Sequence, residues 1–216
     1  MMKKAIYLFA LVAMLTACKK SNNSYHLHYE EDGCEYDYSI DDFDGLDYET
    51  VERYAAFDIA DDRRSIVALM DSLIDAGTPL RSWWSSYYNA MKETLPPDSI
   101  LPKLQRLRDH EPSNAYVHWA IGNTYSDLND TQKAIEYFHK GLDIASDCSY
   151  LWHSLGMVTL QQGDTVSAVN DLTKALELAQ KHNLESWAIG IQLKIDSIAS
   201  GIPAATDSIS DTHINN

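Results

Sequence analysis

The chain has 216 residues, with 32 Asp and Glu against 17 Lys and Arg and a net charge of -15. A polyanion of this kind, without a visible basic patch, is not built to hold nucleic acid. Its length admits an array of about three to five helical hairpins and leaves no room for a large second domain.

At the N-terminus, Lys3 and Lys4 precede an apolar run from Ala5 to Leu15. The run is too short for the roughly 20 residues a bilayer-spanning helix needs. A basic start followed by a short apolar stretch predicts a secretory signal peptide over residues 1–17. It ends Leu15-Thr16-Ala17-Cys18, which resembles the bacterial lipobox. The resemblance implies a diacylglycerol on the Cys18 thiol, cleavage before Cys18 and acylation of the new amine. Several acyl chains anchor far more firmly than one, since each buried methylene contributes about 0.8 kcal/mol. Lys19 follows Cys18, in place of the Asp that retains many such lipoproteins in the inner membrane. The acidic run that marks surface export in some bacteria is also missing at this point. The implied location is the bacterial cell envelope, lipid-anchored, at the outer membrane facing the periplasm.

Residues 18–46 read as the lipidated Cys followed by an acidic tether. No Lys or Arg occurs from Ser21 to Glu52, while Glu30, Glu31, Asp32, Glu35, Asp37, Asp41, Asp42 and Asp44 crowd together. Self-repulsion predicts an extended or disordered stretch, with a short strand where Tyr25, Leu27 and Tyr29 alternate with His26 and His28. Those two His, near Glu30, Glu31 and Cys34, are the one candidate metal set. They lack a matched second pair, so no metal or other cofactor is expected. Asp42-Phe43-Asp44-Gly45 is similar to part of a calcium loop, but Ile40 and Val51 stand where its terminal carboxylates belong. Cys34 and Cys148 either pair in an oxidising compartment or stand as a small buried residue and a free thiol.

From residue 47 onward a fixed register governs the chain. Gly122 recurs as Gly156 and Gly190, Ala134 as Ala168, and Gly141 as Ala175, each step being 34 residues. A period in this range marks a repeat architecture rather than a single globular core. Residues 47–114 hold two degenerate units. The first, 47–80, places Ile66, Met70 and Leu73 on small-or-apolar positions, or else is an unrelated helical pair. The second, 81–114, carries Trp84 in register with His118 and Trp152. Pro96 and Pro97 fill its inter-helix turn, and Pro102 is expected in the first turn of the following helix.

Between Ala115 and Ser146 two amphipathic stretches appear, one through Trp119, Ile121, Gly122 and Tyr125, the other through Ala134, Tyr137, Phe138, Gly141 and Leu142. Leu128-Asn129-Asp130-Thr131 separates them, and Gln162-Gly163-Asp164-Thr165 does so in the next unit. Asn and Gly tolerate the left-handed backbone that ends a helix, and the Asp or Thr that follows can cap the next one. Each unit is therefore a helical hairpin whose small residues sit where helices approach closely. These residues resemble the tetratricopeptide repeat, with Trp152, Leu155, Gly156, Ala168, Leu172 and Ala175 in the second unit and a departure at Thr159, where that family usually has an aromatic. The resemblance implies an all-α solenoid of helical hairpins, with two clear units, one or two degenerate units upstream and a C-terminal capping helix. Residues 115–200 hold the clear units and the cap. Gly201-Ile202-Pro203 stops the cap, and 201–216 read as a disordered tail.

In that family the first helix of each hairpin lines a concave face. Helical spacing places Tyr116, Trp119 and Asn123 on it, then Tyr150, His153 and Met157, with Leu184, Trp187 and Ile191 continuing on the capping helix. Trp and Tyr are frequent hot spots and Met adapts to varied ligands, so the groove predicts a protein or peptide partner. Trp119 and Tyr150 have burial in the core as their other reading. A carboxylate clamp is not implied, because Trp119 and His153 replace its Lys. There is no Gly-rich phosphate loop, G-x-S-x-G, H-E-x-x-H or C-x-x-C, so no catalytic residue is expected. The function read from the chain is an adaptor anchored by lipid in the periplasm. Two other readings are a metal- or cation-binding lipoprotein using the His and acidic segment, and a structural homo-oligomer.

Overall fold

The computed structural model describes residues 26–31, 34–39, 46, 48–80 and 83–201. The signal peptide, Cys18 and the tail beyond Gly201 lie outside them. The chain divides into two compact units after Thr94.

In the first unit, β1 (His26–Glu31) and β2 (Cys34–Ser39) pair antiparallel, with His26 opposite Ser39 and Glu31 opposite Cys34. The acidic stretch read as a tether thus contains a ladder rather than a lone strand. Alternation through Leu27 and Tyr29 has the period of a strand, and the intervening Asp32-Gly33 is a strong hairpin dipeptide. Three helices follow, α1 (Tyr48–Ile59), α2 (Arg63–Asp75) and α3 (Trp84–Thr94). Asp61, at φ 55, turns the chain between α1 and α2. Asp62 caps α2 by accepting from the Ser65 N–H at 3.1 Å and the Ser65 hydroxyl at 2.6 Å. Ile66, Met70 and Ile74 form the fully buried stripe of α2, while Leu73 is half-buried. Across to α3, the Tyr87 hydroxyl donates to Asp71 at 2.6 Å and Arg63 pairs with Glu93 at 3.2 Å.

The second unit holds α4 (Pro97–His110), α5 (Ala115–Asp127), α6 (Thr131–Ile144), α7 (Ser149–Gln161), α8 (Thr165–Lys181) and α9 (Glu185–Ala199). Pro102 does not lie in the first turn of its helix, where the sequence places it. Pro97 opens α4 and Pro102 lies inside it. A proline's fixed φ suits the first helical position, so the helix begins at Pro97 and carries Pro102 one turn further in. There Pro102 forfeits a hydrogen bond to the preceding turn.

The α5–α6 and α7–α8 hairpins are built as the spacing predicts. Asn129 and Gly163 turn the chain at φ 60 and 86. Asp130 and Asp164 then cap α6 and α8, accepting from the backbone N–H of Lys133 at 3.2 Å and of Ser167 at 3.0 Å. A Cβ placed on Gly122 would meet Phe138 Cδ1 at 2.6 Å, and one on Gly141 would meet Leu151 Cδ2 at 2.7 Å. The small residues therefore mark two kinds of approach, within a hairpin and between hairpins. Thr159, the departure from the family pattern, is buried and donates its hydroxyl to the Leu155 carbonyl at 2.8 Å, so its polarity is satisfied inside its own helix.

His118 on α5 is buried. Its Nε2 faces the Pro112 carbonyl at 3.3 Å, and its Nδ1 is buried with no partner among the described residues. Burial holds the imidazole pKa below its ordinary value; the Pro112 carbonyl opposes this, and Arg108 and Lys140 reinforce it. The folded state thus takes up this proton less readily than the unfolded chain does. Its stabilising contribution is complete above the unfolded pKa of about 6.5 and is lost as pH falls through that value toward the lower folded one. Thermal melts between about pH 7.5 and 5.5, a window bracketing that unfolded pKa, should show wild type losing stability and His118→Phe losing less. Parallel losses in both would discard this residue as the source.

Candidate functional site

The first helices of successive hairpins, α5, α7 and α9, present the seven residues singled out in the sequence. Tyr116, one residue into α5, is 41% exposed. Burial around its hydroxyl raises its pKa to about 12, with Cys148, Tyr150 and Asp147 adding to the rise. Tyr150, one residue into α7, is half-buried. Its ring lies 5.0 Å from the Trp187 ring of α9 at a tilt of 35°. His153, one turn further along α7, sits 4.7 Å from the same indole at 59°. Tyr150, His153 and Trp187 are therefore one aromatic cluster bridging α7 and α9. The Trp187 indole N–H is buried with no acceptor among the described residues, an arrangement that costs stability where it occurs.

Other members of the set do different work. Trp119 is only 5% exposed, and its indole N–H donates to Ser154 Oγ at 2.8 Å. It is an internal tie between α5 and α7, which is the core reading left open by the sequence. Met157 is half-buried and packs, with Trp187 and Leu184, against the cluster of Leu172, Ala175, Ala179, Ala188 and Ile191. Ile191 itself is core and does not continue the exposed face. Asn123 is half-buried on α5.

Sequence reasoning missed the junction of Tyr116 with Cys148. Cys148 stands 34 residues after Asn114, which caps α5 by accepting from the Tyr116 N–H at 3.1 Å. The register was the signal that could have marked Cys148 as a cap position; it stands there but makes no side-chain cap. It is a buried free thiol whose pKa burial raises, so it stays protonated and inert; of the two readings offered for Cys148, the structure has the free thiol. Among the described residues no group of three or more His, Cys, Asp or Glu is placed to hold a metal. The side chains of His26, His28 and Cys34 lie outside that description.

The arrangement provides stacking surface, hydroxyls and an imidazole, and no charged side chain among the seven. Residues 115–148 and 149–182 each match the tetratricopeptide repeat model. These segments are two tetratricopeptide repeats within an all-α hairpin solenoid. No curated protein matches the chain. Among solved structures, MamA (residues 41 to the end) from Desulfovibrio magneticus RS-1 is similar, with 19% identity over 61% of this chain and 75% of that one and a TM-score of 0.52. YrrB, described as a TPR protein with an unusual peptide-binding site, is similar at 14% identity over 66% and 74% of the two chains, with a TM-score of 0.51. Both likenesses are of fold.

Proposed function

We propose that the chain is a lipid-anchored periplasmic adaptor that binds a protein or peptide through the face of α5, α7 and α9. The observation that carries the reading is the cluster of Tyr150, His153 and Trp187, with Tyr116 exposed on the preceding first helix. Half-buried aromatics held by neighbours give large contact area at small entropic cost, which is the character of binding hot spots. The peptide-binding site named for YrrB gives the same scaffold a comparable use. The anchor rests on Leu15-Thr16-Ala17-Cys18 and the apolar run before it.

A photo-crosslinker introduced at Tyr150 in intact cells tests the groove, with Lys174 on α8 as the control position. One discrete partner should be captured from Tyr150 and not from Lys174. Trp187→Ala should weaken its binding about thirtyfold with helicity retained. Equal capture from both positions removes the groove from the account. The same cells test the anchor, since Cys18→Ser should abolish incorporation of labelled fatty acid. Retained label would discard the lipid.

A further inference from the structure

The outer face of α9 has an unusual exposure. Ile189, Gly190 and Leu193 follow Leu155, Gly156 and Thr159 by 34 residues, and those follow Ile121, Gly122 and Tyr125 by the same interval. In the two complete hairpins these positions are closed by the second helix. Ile121 is 0% exposed, Tyr125 9%, Leu155 3% and Thr159 9%. Phe138 lies over Gly122 and Leu172 over Gly156. On α9 the same three positions are open. Ile189 is 62% and Leu193 64% exposed, and a Cβ on Gly190 would meet nothing within 4 Å. Terminal repeats of a solenoid ordinarily turn a polar face outward. Here α9 keeps the apolar face of a first helix. Its register equivalents define what fits it: an antiparallel helix that lays a large apolar side chain on the glycine.

We propose that this helix is α9 of a second copy of the chain. A two-fold axis across α9 makes the two helices antiparallel, the direction taken by α6 on α5 and α8 on α7, and produces a self-complementary contact. With Leu193 of each copy on Gly190 of the other, Ser186 falls opposite Ser197 and the crossing lies near the middle of the helix. Charge favours this self-contact. Ser186, Ile189, Gly190, Leu193 and Ser197 carry none, and in this register Glu185 falls opposite Ile198 and Asp196 opposite Trp187. A chain of net charge -15 meets itself here without opposed carboxylates, which would otherwise suppress the pairing. The inference is independent of the groove, since Tyr150 and Trp187 are not on this stripe.

Sedimentation equilibrium of the purified full chain, under reducing conditions over a concentration series, tests it. A dimer is expected, and Leu193→Glu should raise its dissociation constant by about thirtyfold or more while leaving the helical circular dichroism unchanged. A second variant, Gly190→Cys with Leu193→Cys, should crosslink chain to chain on oxidation above the level of a Val166→Cys control. A chain that stays monomeric, a dimer indifferent to Leu193→Glu, or double-cysteine chains that crosslink no better than the control would overturn the proposal. Crosslinking of the α9 face only to a different protein in cells would overturn it in favour of a foreign helix.

Discussion

Gly156→Leu is expected to destabilise the chain by about 1–3 kcal/mol through overpacking, a fall in melting temperature of about 2–12 °C for a chain of this size. A Cβ at this position would already meet Leu172 Cγ at 2.9 Å, the Ala168 carbonyl oxygen at 3.0 Å and Asp171 Cβ at 3.2 Å. Leu172 can shift its rotamer, but the Ala168 carbonyl belongs to the backbone of α8. The two helices must therefore separate, and the separation breaks the packing along their whole length. Gly190→Ala is the matched control. It occupies the same register position on α9, has open space around it within its own chain, and loses the glycine penalty of a helix interior, so the monomer, measured at a concentration too low for self-association, should gain up to about 1 kcal/mol. Thermal melts of the two variants beside wild type decide the matter. Equal shifts in both would mean that glycine acts here only through helix propensity and that the 34-residue register does not report helix contacts.

That contrast shows what was legible in the sequence. The register revealed Gly122, Gly156 and Gly190 as equivalent, and the turn chemistry at Asn129-Asp130 and Gly163-Asp164 located the hairpins. Both signals are local, since they depend on a backbone conformation or on one close approach. Depth was less legible. Tyr116 and Trp119 lie three residues apart on one helical stripe, yet one is half open and the other is sealed between α5 and α7. Periodicity assigns a face; it does not say how far the neighbouring helix extends over that face. The same limit applies to Ile191, which was placed on the groove and lies in the core. Gly190 fails for a related reason. A glycine signals that close approach is tolerated, and only the packing shows that no described helix makes it. Pro102 misled because proline marks both helix starts and helix interiors, and Pro97 had already taken the start.

Trp119→Ala is expected to produce the other large effect, about 3–5 kcal/mol of lost stability, as for a buried large aromatic truncated in a core. For a chain of this length that corresponds to a drop of roughly 6–20 °C in melting temperature. Two contributions are separable. The indole fills the contact between α5 and α7, and its N–H donates to Ser154 Oγ at 2.8 Å. Ser154→Ala removes only the acceptor, so the cost should be the smaller one of about 1–3 kcal/mol for a buried donor left unpaired. In the double variant the two losses should be less than additive, because once the indole is gone Ser154 no longer has that bond to lose. Trp187→Ala gives the comparison on the aromatic cluster. Trp187 is half-buried at the end of the array and its N–H has no acceptor among the described residues to lose, so its truncation should cost less stability than Trp119→Ala and more of any partner affinity. A Trp119→Ala chain that melts with wild type while losing its partner would return Trp119 to the binding face and reverse the roles assigned to the two tryptophans.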